Sequence, residues 1–389
     1  MAEFAARSDR NPSGQSEAKA GARLLFLDNL RVYLTILVIV HHAALAYGGA
    51  GSWEIRDPGV DDISPIFLTL FNALNQSYFM TAFFLLAGYF TPRSLESKGP
   101  KAFLIDRLIR LGVPLLVYTT LIININGYII DVLGSGIPYR MRIGYEAGHL
   151  WFLQALLVFA VIYVIFRAVT DRGTPRPTRF YPDTFPPDAM LFLSIAVLAV
   201  LTFLVRLIFP VGVWFLSVQP GHFVHYIFAF YVGILAYRGD WFRRLSKGQA
   251  RRWGIMSLGV FPLIIVMMVL GGALESDENV ARFMGGAYWQ AFAYAVWETF
   301  LMIGIIVFLL YFFRERLNQA GPLARSMAAS VFTVYIIHQT ILFALHALFL
   351  PISIPTIVKF FVVALIAVPV CFLLSIPIRR IPYARRVLG

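Results

Sequence analysis

Residues 24–47 read LLFLDNLRVYLTILVIVHHAALAY, an apolar run that a few ionisable side chains interrupt. At about 1.5 Å per residue, a helix of this length crosses the roughly 30 Å hydrocarbon core of a membrane. Comparable apolar runs recur along the whole chain of 389 residues. The stretch therefore predicts a membrane-spanning helix, and its recurrence predicts a polytopic membrane protein.

The overall composition excludes a soluble globular protein. Hydrophobic residues make up 59% of the chain and charged residues only 14%, against about 25% charged residues in soluble domains. The mean hydropathy is +0.73. A soluble fold of this length has no interior large enough to bury so much apolar surface.

We predict an all-α fold with about ten spans, because strand-length alternation between turns is absent. The predicted spans cover residues 25–47, 64–90, 111–133, 150–167, 189–209, 221–237, 253–272, 289–312, 327–349 and 356–378. They form one membrane domain over 24–378, between a disordered tail (1–23) and a basic tail (379–389). A proline-rich stretch, 168–188, predicts a loop without regular structure.

The distribution of Lys and Arg predicts the orientation. One set of alternate loops and tails carries 26 of these residues and the opposite set only 4. Because cytoplasmic loops are enriched in Lys and Arg, both termini are expected in the cytoplasm and the 273–288 loop outside. The net charge of +12 thus comes from membrane topology, and we expect a bilayer rather than nucleic acid as partner.

Ionisable residues of the first span form a stripe on one helix face. Arg31 and His42 are 11 residues apart, which aligns them to about 20° and separates them by about 16 Å. Asp28 lies close enough to pair with Arg31, whereas His41 points about 80° away. For each residue a purely structural interpretation stays open. Asp28 could cap the helix, Arg31 could reach the lipid headgroups, and His42 could simply pack against other side chains.

Two arginines at the start of the third predicted span suggest an anion site. Arg107 and Arg110 are three residues apart and are expected at a helix N-terminus, where N–H groups and the dipole favour phosphate. The alternative is ordinary positive-inside arginine.

Further polar residues lie in later spans and are candidates for supporting roles, because buried ionisable groups are costly in a membrane. His149 and Trp151 open the fourth span, where Trp151 also fits an interfacial aromatic belt. Glu298, Tyr335 and His338 lie deeper, and a carboxylate or imidazole there could orient His42.

No permanently bound cofactor or metal is expected. The chain lacks a P-loop, a dinucleotide fingerprint and a GxSxG nucleophile elbow. His222 and His225 have the i, i+3 spacing of some metal ligands, but no Cys or acidic residue lies nearby in the sequence.

Taken together, these residues resemble the acyltransferase-3 family of bacterial integral membrane proteins. The resemblance rests on Arg31–x10–His42, on Arg107-x-x-Arg110 and on the ten-span layout. FFLLAGYF at 83–90 looks like the family's stretch closing span two. Span one and HLWFL at 149–153 look most like the branch with membrane succinyltransferases of periplasmic glucans.

The resemblance implies transfer of an acetyl or succinyl group from cytoplasmic acyl-CoA to a hydroxyl of an extracytoplasmic glycan or other envelope acceptor. The enzyme is then expected in the bacterial inner membrane. His42 would be the catalytic histidine, Arg31 its motif partner, and Arg107 and Arg110 part of the donor site. A succinyl donor would need a cation for its distal carboxylate, for which Arg206 is a candidate.

Several questions stay open from the sequence. His42 could act as a general base or carry the acyl group itself, and the oligomeric state is unknown. The alternative function is a proton-coupled transporter that uses a chain of Asp28, Arg31, His42, Glu298 and His338.

Overall fold

The computed structural model describes residues 24–170 and 184–388. Ten helical segments, here α1 to α10, form the bundle, and no strand occurs within the described residues. They are α1 (Leu25–Ala46), α2 (Ser64–Lys98), α3 (Pro100–Gly134), α4 (Trp151–Thr170), α5 (Asp188–Arg206), α6 (Phe223–Gly239), α7 (Lys247–Leu270), α8 (Trp289–Arg316), α9 (Pro322–Phe349) and α10 (Thr356–Arg380).

These helices confirm the all-α, multi-pass prediction. Eight have the length and apolar composition needed to cross a membrane, and α2 and α6 occupy the other two predicted spans. The predicted tail at 1–23 and most of the loop at 168–188 lie outside the described residues. At the other end, the predicted basic tail includes a short helix, Pro382–Leu388.

Helix α1 occupies the centre of the bundle, where it contacts α2, α8, α9 and α10. Its Leu27, Leu34 and Ile39 side chains are fully buried, as expected of a helix surrounded by others. The residues of the first span are therefore placed to meet side chains from four different helices.

The closest helix crossing joins α2 to α6. A Cβ atom added at Gly88 would lie 2.0 Å from the carbonyl oxygen of Phe230, and one at Gly233 would lie 2.2 Å from that of Leu85. Only glycine lets the two backbones approach so closely, as in small-residue contacts between membrane helices. This crossing fixes α2 and α6, both of which line the cavity described below.

The expected helix N-terminus at Arg107 and Arg110 is wrong. Helix α2 continues to Lys98, and α3 begins at Pro100 after a single linking residue, Gly99 at φ 76°. Glycine tolerates that angle and proline suits a first helical turn. Both arginines therefore lie two turns or more inside α3, where the backbone N–H groups are already used.

Two spans depart from regular α-helix. Helix α3 contains three π-helical turns, Leu108–Gly112, Tyr118–Ile122 and Ile129–Gly134. Helix α7 is interrupted between Val260 and Leu263, where Pro262 removes a backbone donor.

Candidate functional site

The imidazoles of His42 and His338 meet although 296 residues separate them. Nδ1 of His42 lies 2.8 Å from Nε2 of His338, and Nδ1 of His338 lies 2.7 Å from the Tyr335 carbonyl oxygen. The two rings are within 7° of coplanar, with centroids 5.0 Å apart. At that separation the rings meet edge to edge through the nitrogen contact, which is good hydrogen-bond geometry.

This hydrogen-bond chain determines which nitrogen of His42 is free. A carbonyl oxygen only accepts, so Nδ1 of His338 donates to Tyr335. With neutral rings, Nε2 of His338 then accepts from Nδ1–H of His42. The lone pair of His42 is consequently on Nε2, which makes that atom the candidate base.

His149 and Tyr335 tie α9 to the start of α4. Nε2 of His149 contacts the carbonyl oxygens of Tyr335 and Ile336 at 3.1 Å each, and the Tyr335 hydroxyl donates back to the His149 carbonyl. Nδ1 of His149 and the Tyr118 hydroxyl both contact the side-chain amide of Gln339. These bonds hold the backbone that anchors His338.

The loop after α1 covers the other side of His42. The Trp53 ring lies 5.5 Å from the His42 ring at 30°, and its Nε1 donates to Nδ1 of His346 at 2.9 Å. A buried ion pair of 2.8 Å between Asp57 and Lys359 fastens this loop to α10. The His42 ring is thus held by the hydrogen bond to His338 and by packing against Trp53.

A cavity of about 540 Å³ contains His42. It extends from Val38 on α1 toward loops on the side predicted to be extracytoplasmic, including Trp214 and Ala273. His149, Trp151 and Tyr335 line it as well. Four predicted site residues therefore share one cavity, although they come from three different spans.

Glu298 does not reach His42, contrary to the expectation that it could orient this ring. Its carboxylate forms a buried ion pair of 2.7 Å with Arg206 and lies 3.5 Å from Nδ1 of His222. Arg206 also donates to the Gly221 carbonyl at 3.1 Å. The series of ionisable residues that a proton-coupled transporter would need is therefore interrupted, because Glu298 pairs with Arg206 of α5 and not with His338.

The predicted donor residues form a basic cluster at the opposite end of α1. Arg31 lies 3.8 Å from Asp28 and 4.8 Å above the Phe90 ring, and it is close enough to Arg107 for their charges to interact. Arg110 is 45% exposed and lies 3.2 Å from Asp106. The structure thus assembles the three arginines, with Arg107 the more buried of the α3 pair.

Several residues of the site were not predicted from the sequence. Asn72 and Gln76 line the cavity, Trp53 contacts His42, and Gln339 binds His149. The two α2 amides and Gln339 could have been found as polar residues inside apolar spans, since such residues are also costly there. Nothing in its local sequence distinguishes Trp53 from any other loop aromatic.

No group of three or more His, Cys, Asp or Glu side chains could hold a metal ion within residues 24–170 and 184–388. His225 hydrogen-bonds to the hydroxyls of Thr202 and Thr299, so it joins α6 to α5 and α8. His222 instead contacts the Arg206–Glu298 pair.

One protein family matches almost the whole length of the chain. A family profile described as an acyltransferase domain, that of the acyltransferase-3 family, matches residues 24–376. Glucans biosynthesis protein C of Escherichia coli (strain K12) is 28% identical over 160 residues, which is 38% of this chain and 40% of that protein.

Salmonella proteins of the same name give a similar result. The protein of Salmonella schwarzengrund (strain CVM19633) is 26% identical over 170 residues, 40% of this chain and 43% of that protein. The chain thus aligns with about two fifths of the length of these relatives. No solved structure matches it significantly.

Proposed function

Because the chain belongs to the acyltransferase-3 family, we propose that it transfers an acyl group from a cytoplasmic acyl-CoA to a hydroxyl of an extracytoplasmic glycan. The observation that carries this proposal is the Tyr335 carbonyl–His338–His42 chain, which ends in a free Nε2 lone pair beside the cavity. Similarity to glucans biosynthesis protein C supports a glycan as acceptor.

In the proposed reaction His42 is the general base. Its Nε2 takes the proton of the acceptor hydroxyl as the oxygen attacks the thioester carbonyl. The tetrahedral intermediate then expels the CoA thiolate, which receives that proton from Nε2. The C–O bond of the ester forms and the C–S bond breaks, so no further reactant is needed.

His338 assists by accepting from Nδ1–H of His42 throughout this cycle. The acceptor holds the ring in one tautomer and stabilises the imidazolium that forms between the two proton transfers, as a triad's third member does. The anchored Tyr335 carbonyl keeps His338 in its own tautomer.

The donor is proposed to bind at the basic cluster of Arg31, Arg107 and Arg110, whose guanidinium groups suit the phosphates of CoA. A pantetheine arm extends roughly 15–20 Å by bond-length arithmetic. Arg31 and His42 are about 16 Å apart along α1. The first α1 residue that lines the cavity is Val38, about 10 Å along the helix from Arg31. The pantetheine arm has to span this distance before it enters the cavity.

Thioester consumption by the purified protein tests the function, since a transporter would consume none. We expect His42→Ala to abolish CoA release in the presence of acceptor, a loss of about 10²–10⁴-fold. His41→Ala should only reduce it, because His41 packs on Phe79 and lacks the His338 bond. Full activity in His42→Ala would refute the assignment of the base.

The same preparation separates direct transfer from an acyl-histidine route. Under direct transfer, mass spectrometry detects no acylated protein when acyl-CoA is supplied without acceptor. Acyl-protein that accumulates in the wild type and disappears in His42→Ala would establish the covalent route instead.

A further inference from the structure

Two amide side chains of α2, Asn72 and Gln76, face the cavity that contains His42. They are four residues apart and therefore lie on the same helix face, one turn from each other. Asn72 is only 3% exposed, and its Oδ1 has no hydrogen-bond partner. Its Nδ2 is 3.5 Å from the Ala50 carbonyl, at the outer limit of a hydrogen bond.

A buried amide oxygen without a partner is unusual and calls for a ligand or another explanation. The hydrogen bond of Gln76 is equally long, because its Nε2 lies 3.5 Å from the Tyr226 hydroxyl. Each amide supplies both donors and an acceptor, which is the combination that a hydroxyl group requires. Gln76, which is only partly buried, thus offers hydrogen bonds to the cavity, and Asn72 offers its own once its amide rotates toward a ligand.

The two amides stand beside the outer part of α1. Nδ2 of Asn72 is 2.7 Å from the position of a Cβ at Gly49, in the turn that follows α1. One turn inward from Gln76, Phe79 contacts the ring of His41 at 4.9 Å. A ligand on these amides would therefore lie near the neighbouring His42.

Flat aromatic rings adjoin the amides in the same cavity. Trp151 and Tyr226 are stacked with their centroids 5.5 Å apart at 25°, and Tyr226 is the contact of Gln76. Trp151 is only partly buried, so its face can pack against the C–H face of a ring while neighbouring amides bind the ring's hydroxyls. Tyr226 is 3% exposed and is also stacked on Phe84, so it supports the Trp151 ring and contributes its hydroxyl. This pairing of apolar surface with a few directed polar groups is typical of a ligand site.

No Asp, Glu, Lys or Arg is among the described residues that line the cavity. Arg206, a candidate for a distal carboxylate, is fully buried behind the wall and paired with Glu298. A charged group that loses its water in this cavity would find no counter-charge there, which disfavours it. The cavity therefore favours uncharged ligands.

We propose that Asn72, Gln76, Trp151 and Tyr226 form an acceptor subsite that binds one neutral, polyhydroxylated ring beside His42. The subsite rests on the proposed function, since it presents a ring hydroxyl to the His42 base. It deepens that function by assigning the residues that select the acceptor and by requiring the bound unit to be uncharged.

Steady-state transfer from acetyl-CoA to a neutral gluco-oligosaccharide tests the subsite. Asn72→Leu and Gln76→Leu should each raise the acceptor KM at least 10-fold and leave the acetyl-CoA KM within 2-fold. Asn75→Leu is the matched control, because Asn75 is a buried amide of the same helix that does not line the cavity. It should leave both constants within 2-fold.

A second measurement uses only the wild-type protein and so does not depend on the folding of variants. An oligosaccharide of equal length with a uronic acid at the reacting unit should show at least a 10-fold lower kcat/KM than the neutral one. Equal use of the two, or an unchanged acceptor KM in both leucine variants, refutes the subsite alone. Absence of turnover of both acetyl-CoA and succinyl-CoA by the wild type refutes the proposed function, and the subsite with it.

Discussion

Replacing His338 with leucine isolates the contribution of the His42–His338 hydrogen bond. The side chain is completely buried, so leucine fills similar space while removing the acceptor 2.8 Å from Nδ1 of His42. His42 itself, the cavity lining and the basic cluster remain in place. The variant therefore changes how the base is held without removing the base.

The size of the effect follows from the buried donor that is left behind. Without His338, neutral His42 can shift its proton to Nε2, whereas the imidazolium that forms in the reaction keeps a buried Nδ1–H without an acceptor. That unsatisfied N–H costs the transition state about 1–3 kcal/mol, and about 1.36 kcal/mol corresponds to a factor of ten in rate. We therefore expect kcat to fall about 5- to 150-fold in His338→Leu. His338→Gln, whose amide oxygen can accept from Nδ1–H, should recover part of this loss.

The assay is the release of free CoA thiol by purified protein at saturating donor and acceptor. His225→Leu is the control, because His225 is also a buried imidazole but bonds Thr202 and Thr299 outside the cavity. It should keep kcat within about 2-fold of the wild type. A folded His338→Leu protein with unchanged kcat, or a change confined to the donor KM, would refute the proposed role of His338.

Two further predictions concern the donor site and the orientation. Arg107→Ala should weaken acyl-CoA binding about 10- to 100-fold. Arg110→Ala should weaken it only a few-fold, because Arg110 is more exposed and already pairs with Asp106. An affinity for acyl-CoA that calorimetry finds unchanged in both variants would remove the two arginines from the donor site. The single cysteine of the chain, Cys371, is first replaced by alanine so that it gives no background labelling. A membrane-impermeant thiol reagent should then label a cysteine at Asp277 but not at Lys247 in intact cells, and the reverse pattern would overturn the orientation.

The helical spans could be predicted from the sequence because their signal is local. A run of about 20 apolar residues must form a helix in a membrane, whatever it packs against. The same reasoning found the stripe of α1, since helical periodicity alone aligns Arg31 with His42. The structure adds the Asp28 contact at 3.8 Å, as expected from residues three apart.

The partners of these residues could not be predicted, because they depend on which helices are neighbours. His338 comes from α9 and meets His42 only since α1 and α9 pack together. The same limit applies to Glu298, whose polarity was recognised but whose partner is Arg206 rather than His42. Periodicity determines the face of a helix but not the helix that it faces.

The helix ends around 91–110 were wrong for a different reason. Basic residues after an apolar run predict a loop, whereas here they lie on helices that continue past the apolar run. Helix α2 has 35 residues, or about 52 Å at 1.5 Å per residue, which exceeds the roughly 30 Å hydrocarbon core. Hydropathy detects where the apolar part ends, and the helix itself ends only at Gly99.

The π-helical turns of α3 bear on how this protein tolerates insertions and deletions. A π turn accommodates one residue more than an α turn, so removing one residue from Tyr118–Ile122 lets the turn become α-helical. Because a π turn completes about one revolution with one residue more than an α turn, the preceding part of α3 would keep nearly the same orientation relative to the following part. Such a deletion would preserve both the apolar span and the direction of Arg107 and Arg110. A deletion in an α-helical part of α3 would instead rotate one side by about 100°, so α3 tolerates a change of length at its π turns and not between them.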